Sequence, residues 1–154
     1  MRDVSEPLHL YVVPGAALLD VQQNAGSACV WCTRTLRPGQ GIGLGGSGSW
    51  LPHACRDCYD AQTRALATYL DWHDHAAECP LCAMDPPCIT ARALGHGHLD
   101  ALAWAKKPKA FCSGCHQAVE PDTFRPYLFM GTTGMLFSYL HLERCHARPR
   151  GGDC

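Results

Sequence analysis

Apolar and polar positions alternate irregularly along this chain, and one segment carries a sustained helical period. From about Cys55 to His75, the positions Tyr59, Leu66, Tyr69 or Leu70, and His73 fall near one face and predict the principal helix. Asp57 near its start suits the positive end of the helix dipole. Leu8 to Val13 is a short apolar run closed by Pro14 and Gly15, and reads as a strand. The stretch "AALLDVQQNAG", Ala16–Gly26, predicts a short helix that Gly26 terminates. Residues 79–90 are rich in turn formers, and short helices are expected at Ile89–Leu94 and His98–Ala105. Phe124–Met130 reads as strand material despite Pro126, and a last helix is expected over Met135–Cys145, with Leu136 and Leu140 inward.

The breaks in this pattern have a compositional cause, since the 154 residues include 15 glycines and 11 prolines. Residues 38–50, "PGQGIGLGGSGSW", hold six of those glycines and predict a loop or mobile hairpin tip. A formal G-x-G-x-x-G falls there at Gly41, Gly43 and Gly46. Dinucleotide binding needs a strand before such a motif and a helix directly after it, and Trp50-Leu51-Pro52 follows instead, so the match is read as compositional chance. A formal net charge of -1 excludes a strong global field that would steer the chain to nucleic acid.

Eleven cysteines and nine histidines change the picture most. Four cysteine pairs have the form C-x-x-C: Cys29/Cys32, Cys55/Cys58, Cys79/Cys82 and Cys112/Cys115. The start "MRDVSEPLHLYVV" lacks a basic region followed by an uninterrupted apolar run, and the cysteine count is odd. No 18-residue apolar stretch occurs. A cytoplasmic, metal-bound chain without membrane contact is therefore expected, rather than an oxidised secreted scaffold.

The first expected site is Cys29-x2-Cys32-x22-Cys55-x2-Cys58. Four thiolates suit tetrahedral zinc, and the second pair sits at a helix N-terminus, where the dipole favours thiolate over thiol. A redox pair accounts for one C-x-x-C but not for two linked ones. The third site is Cys112-x2-Cys115-x25-His141-x3-Cys145, with His141 and Cys145 expected on one helical face. The middle cluster, Cys79, Cys82 and Cys88, needs a fourth donor: His75 is favoured over His98, with His96 next. A pairing of Cys79/Cys82 with Cys112/Cys115 stays open as an alternative. The three-site scheme predicts three structural Zn2+ ions and leaves Cys154 over, in a frayed terminus.

"CVWCTRTLRPG" and "CSGCHQAVEPD" each place five residues between the second cysteine and a proline, which points to an internal duplication. Knuckle, hairpin and ligand-bearing helix together resemble the treble-clef zinc-finger group, LIM-like and RING-like modules included. The resemblance implies a small α+β zinc-binding protein of tandem treble-clef-like fingers with short hairpins and helices. Residues 1–28 are expected to pack a strand and short helix on a first finger, 29–78. An irregular middle zinc module and basic linker, 79–110, a second finger, 111–146, and a flexible tail, 147–154, follow.

For function, a zinc-stabilised interaction or regulatory adaptor that binds another protein is the leading expectation. Trp31, Arg34, Arg37, Trp50, Lys106, Lys107 and Lys109 are its candidate partner contacts. A nucleic-acid-binding zinc-finger regulator is the alternative, with Trp104, Tyr127, Arg144, Arg148 and Arg150 as further contacts. An enzyme is not expected, because H-E-x-x-H and the deaminase constellation are both absent. Were the middle site open, Glu78 or Asp85 would be its base. HNH nucleases share the treble clef, but their paired Asp-His is missing here.

Overall fold

In the computed structural model, residues 2–83, 86–131, 134–141 and 145 are described, and they form a small mixed α+β fold. The elements run α1 (Ser5–Tyr11), α2 (Val21–Asn24), β1 (Ile42–Gly43), β2 (His53–Ala54), α3 (Arg56–Glu78), α4 (Ile89–Trp104), β3 (Phe124–Gly131) and β4 (Gly134–His141). Short 3₁₀ turns occupy Ala16–Leu18 and Pro80–Ala83. Two compact units divide within α3: residues 2–64, and the chain from Ala65 onward.

Four expected elements come out differently. The apolar run at 8–13 is helical as far as Tyr11, because Val4 and Leu8, four positions apart, are both buried while Leu10 faces water. Ala16–Gly26 is not one helix: Asp20 starts α2 afresh through a capping box, accepting from the Gln23 amide at 2.8 Å while the Gln23 side chain accepts from the Asp20 amide. Gly26, at φ 74°, does end that helix. The two helices expected between Ile89 and Ala105 are one continuous α4, since Gly95 and Gly97 cost helix propensity without breaking it. A Cβ at Gly95 would stand 3.0 Å from the Trp72 ring, so this glycine is what permits the close packing.

The fourth difference is the largest. Met135–His141 is a strand, paired antiparallel with β3 in the register Phe124↔His141, Tyr127↔Ser138 and Gly131↔Gly134. A run of β-preferring Phe137, Tyr139 and Leu140 opposite another such run outweighs the helical spacing of Leu136 and Leu140. The flexible tail expected at 147–154, with Arg148, Arg150 and Cys154, lies outside the described residues, as do Arg144 and Asp85.

In residues 2–64, the core gathers Cys29, Val30, Leu44, Ala54 and Cys55, with Val13, Leu19, Trp31, Leu36 and Tyr59 packed against it. The glycine motif Gly41–Gly46 enters the β1–β2 hairpin and no helix follows it, so the dinucleotide reading lacks its second element.

From Ala65 onward, Tyr69, Trp72, His98 and Tyr139 are buried together as an aromatic cluster. The Tyr69 hydroxyl donates to the Tyr127 carbonyl at 2.6 Å and accepts from the Ser138 amide at 3.3 Å, which fastens α3 to the β3–β4 hairpin. His98 shares hydrogen bonds with the Tyr139 hydroxyl at 2.6 Å and the Thr68 hydroxyl at 3.2 Å. Burial, with the nearby Lys107 charge adding to it, pushes the His98 pKa down to about 4 from 6.5.

The folded state thus resists a proton that the unfolded chain accepts below about pH 6.5, so stability from neutral His98 is full above that pH and is lost as pH falls toward 4. Denaturant unfolding of metal-loaded protein at a series of pH values checks this. His98→Gln is expected to flatten the dependence between roughly pH 6.5 and 5 relative to the parent chain; parallel curves for the two proteins would contradict it.

Candidate metal centres

Each knuckle is built by its backbone before any metal is considered. In the first, the Cys29 amide donates to the Arg34 carbonyl at 2.9 Å and the Thr33 amide returns to the Cys29 carbonyl at 2.9 Å. Thr33 takes a positive φ of 59°, which turns the chain back under the two sulfurs. The Leu36 amide bonds the Ser27 carbonyl, and the Val30 amide reaches across to His53 on β2. Two residues later comes Cys55, at the entrance of α3, and Cys58 follows in its first turn.

The second knuckle repeats this scheme bond for bond. The Cys112 amide donates to Gln117, the His116 amide returns to Cys112, and His116 has φ 61°. The Val119 amide bonds the Ala110 carbonyl, and the Ser113 amide reaches across to Tyr139 on β4. Two residues later comes His141. Matching bridges, Ala28↔Thr35 with Cys29↔His53 and Phe111↔Ala118 with Cys112↔Tyr139, complete the correspondence. Even the hairpin register agrees: Ile42 pairs Ala54, and Arg125 pairs Leu140. The duplication that the two proline-terminated stretches hinted at is therefore a duplication of fold, with His141 standing where Cys55 stands.

Three groups of donors converge: Cys29, Cys32, Cys55 and Cys58; His75, Cys79, Cys82 and Cys88; Cys112, Cys115, His141 and Cys145. Within each group the donor atoms all lie within 4.8 Å of one another. Cys32 and Cys55 sulfurs are 3.8 Å apart, Cys82 and Cys88 3.5 Å, His75 Nε2 and Cys88 3.1 Å, and His141 Nδ1 lies 3.4 Å from Cys115 and 3.3 Å from Cys145. Metal–sulfur bonds of ~2.3 Å at tetrahedral angles set an edge of about 3.8 Å, so these separations sit at or slightly inside the edges of a four-ligand site.

His75, at the end of α3, supplies the fourth donor of the middle group. His98 is instead held in the aromatic core and His96 is exposed, so neither closes the group. The alternative pairing of Cys79/Cys82 with Cys112/Cys115 does not occur, since those pairs lie in different groups. His141 meets the Cys112 knuckle from the end of a strand rather than from the expected helix face, and the Cys145 sulfur lies beside its ring. Nine cysteines among the described residues are free thiols. Cys145 is disulfide-bonded, so the third group becomes a complete thiolate and imidazole set on reduction.

The surroundings prepare several sulfurs for ionisation. Burial opposes a charge on Cys29, but the amides of Cys55, Trp31 and Cys32 point at its sulfur and bring its pKa down to about 7. Cys112 is lowered in the same way, against burial, by the amides of Cys115, Gly114 and His141. Cys88 falls to about 6 because the Ala91 amide and His75 bond its sulfur, which also caps the N-terminus of α4. Burial and neighbouring sulfurs push Cys58 up, and Cys82 up to about 11, as expected where several thiols share one small volume. A cation placed among them would reverse that penalty.

Gln23 was not a sequence candidate, yet its amide donates to the Cys29 and Val30 carbonyls at 3.3 and 3.0 Å and holds the first knuckle from behind. Its signal was the D-x-x-Q capping box. Phe124 likewise packs against His141, with ring centroids 3.9 Å apart and the rings tilted by 41°. Among the candidate partner contacts, Trp31 is half-buried on the first core and Trp50 is half-buried near His9. Arg34 is exposed and pairs with Asp57 at 3.3 Å; Arg37, Lys106 and Lys109 are exposed, and Lys107 is partly covered. No helix among the described residues is long and apolar enough to cross a membrane. Comparison with protein-family models, curated proteins and solved structures finds no match to this chain.

Two substitutions test the groups separately. Cys55→Ser is expected to remove one metal equivalent and leave the rest, read by native mass spectrometry; loss of all bound metal would contradict independent sites. At Gly114 an added Cβ would stand 3.0 Å from the Cys145 Cβ and 3.3 Å from its sulfur. Gly114→Ala should therefore weaken metal retention by the third group about tenfold or more in a chelator competition, and unchanged competition would refute the placement of Cys145.

Proposed function

We propose that this chain is a zinc-stabilised interaction or regulatory adaptor that binds another protein, in a reducing compartment such as the cytoplasm. The observation that carries the reading is the convergence of four protein donors in each of three groups, the third of them complete once Cys145 is reduced. A catalytic zinc keeps an exchangeable position for water or substrate, whereas four thiolate and imidazole donors make a structural clamp. Soft sulfur with one imidazole or none selects zinc over the hard divalent cations.

The surface supports recognition of protein rather than nucleic acid. Large apolar side chains stand in solvent, Leu18 and Val21 in residues 2–64 and Ile89 and Trp104 in the rest. Of the basic contacts, Arg34 is engaged with Asp57 and Lys107 lies over the Phe137 ring. These two cations are thereby less available to phosphates, and affinity for a polyanion scales with the number of cations that neutralise them.

Co-purification from native cells, with and without nuclease treatment, tests the reading. A defined protein is expected to be retained through moderate salt in both samples. Retention that disappears with nuclease, or that falls steeply between roughly 50 and 200 mM salt, would overturn it in favour of the nucleic-acid regulator.

A further inference from the structure

All three lysines of the chain lie within four residues: Lys106, Lys107 and Lys109. Every other side-chain cation apart from histidine is an arginine, so the concentration is local and not compositional. The segment leaves the C-terminus of α4, where the Ala105 and Lys107 amides bond Ala101 and Leu102, and it enters the second knuckle at Phe111. Its two ends carry exposed aromatics, Trp104 at 53% and Phe111 at 48% relative exposure. Lys107 turns inward, its ammonium 5.3 Å from the centre of the Phe137 ring. Lys106, at φ 53°, and Lys109 turn outward.

This is a structured surface and not a loose basic tail. Its ends are anchored, one by α4 and one by the Phe111↔Ala118 bridge of a ligand-bearing knuckle, and Lys107 pins its middle. Pinning matters, because a basic segment read by a receptor as an extended ligand would have to release Lys107 from the Phe137 ring. Two outward ammonium groups between two exposed rings match a ligand with anionic groups and bulky apolar side chains at alternating positions. Two ammonium groups are too few for firm hold on a phosphate backbone at physiological salt.

We propose that residues 104–111 form a docking surface for an acidic peptide segment of a protein partner, with its apolar residues against Trp104 and Phe111 and its carboxylates against Lys106 and Lys109. This rests on the adaptor reading and names the chemistry of the partner.

Fluorescence anisotropy with the full-length, metal-loaded protein tests it. The probes are a labelled peptide alternating Glu with Leu and Phe, the same peptide with Gln for Glu, the same with Ser for the apolar residues, and a short oligo-dT. Expected is binding of the first peptide alone, weakened about tenfold or more by W104A and by K106E/K109E, with circular dichroism and metal content unchanged. Oligo-dT binding that exceeds the acidic peptide and falls with the same variants would overturn the proposal in favour of nucleic acid. Absence of peptide binding, or binding indifferent to both variants, would overturn it outright. If the peptide fails while a protein still co-purifies, the docking surface falls and the adaptor reading stands. If the peptide binds while no protein co-purifies, the adaptor reading falls and the surface stands.

Discussion

Four sulfur or imidazole donors held within 4.8 Å of one another form the constraint on which this structure turns. Thiols buried and crowded this closely resist ionisation, as Cys82 illustrates: burial first, and the neighbouring Cys88 and Cys79 sulfurs after it, raise its pKa. Thiolates crowded this closely repel one another unless a cation stands among them. The backbone nevertheless spends amides on them: Cys55, Trp31 and Cys32 on the Cys29 sulfur, Cys115, Gly114 and His141 on the Cys112 sulfur, Ala91 on the Cys88 sulfur. A fold that aims donors at sulfurs in this way is organised around anionic sulfur, and sets of four thiolates, or of three thiolates and an imidazole, suit a metal.

In residues 2–64 the short elements gather around a donor group and only a small apolar core. β1 and β2 are two residues each, too short to be stable alone, and they lie between the two halves of the first donor group. The core beside them is itself made partly of Cys29 and Cys55. From Ala65 onward the balance shifts: Tyr69, Trp72, His98 and Tyr139 supply aromatic burial, and the hairpin strands lengthen to eight residues. One plan of knuckle and return strand thus appears twice with different support, once on Gln23 and a small apolar core, once on an aromatic cluster.

The convergence of the Cys/His donor groups was legible in the sequence because C-x-x-C fixes a local turn whatever the rest of the chain does. His75 was legible for the same reason, four residues before Cys79 on a helix already marked by its period. The secondary structure was harder to read where pairing partners decide it. Met135–His141 spaces Leu136 and Leu140 like a helix, and only its partner strand, Phe124–Gly131, makes it β. Leu8–Val13 looks like a strand until Val4 is recognised as the other half of a helical stripe. His98 carried the same ligand chemistry as His75; what separates them is the Tyr139 hydroxyl, a contact between α4 and β4 that no local spacing encodes.

The most direct test of this account is native mass spectrometry of the reduced chain during zinc titration, with near-ultraviolet circular dichroism recorded in parallel. The account predicts uptake of three zinc ions per chain, appearance of the aromatic signal as they bind, and its loss on chelation. Fewer than two tightly held zincs, or a full aromatic signal that persists after chelation, would contradict it.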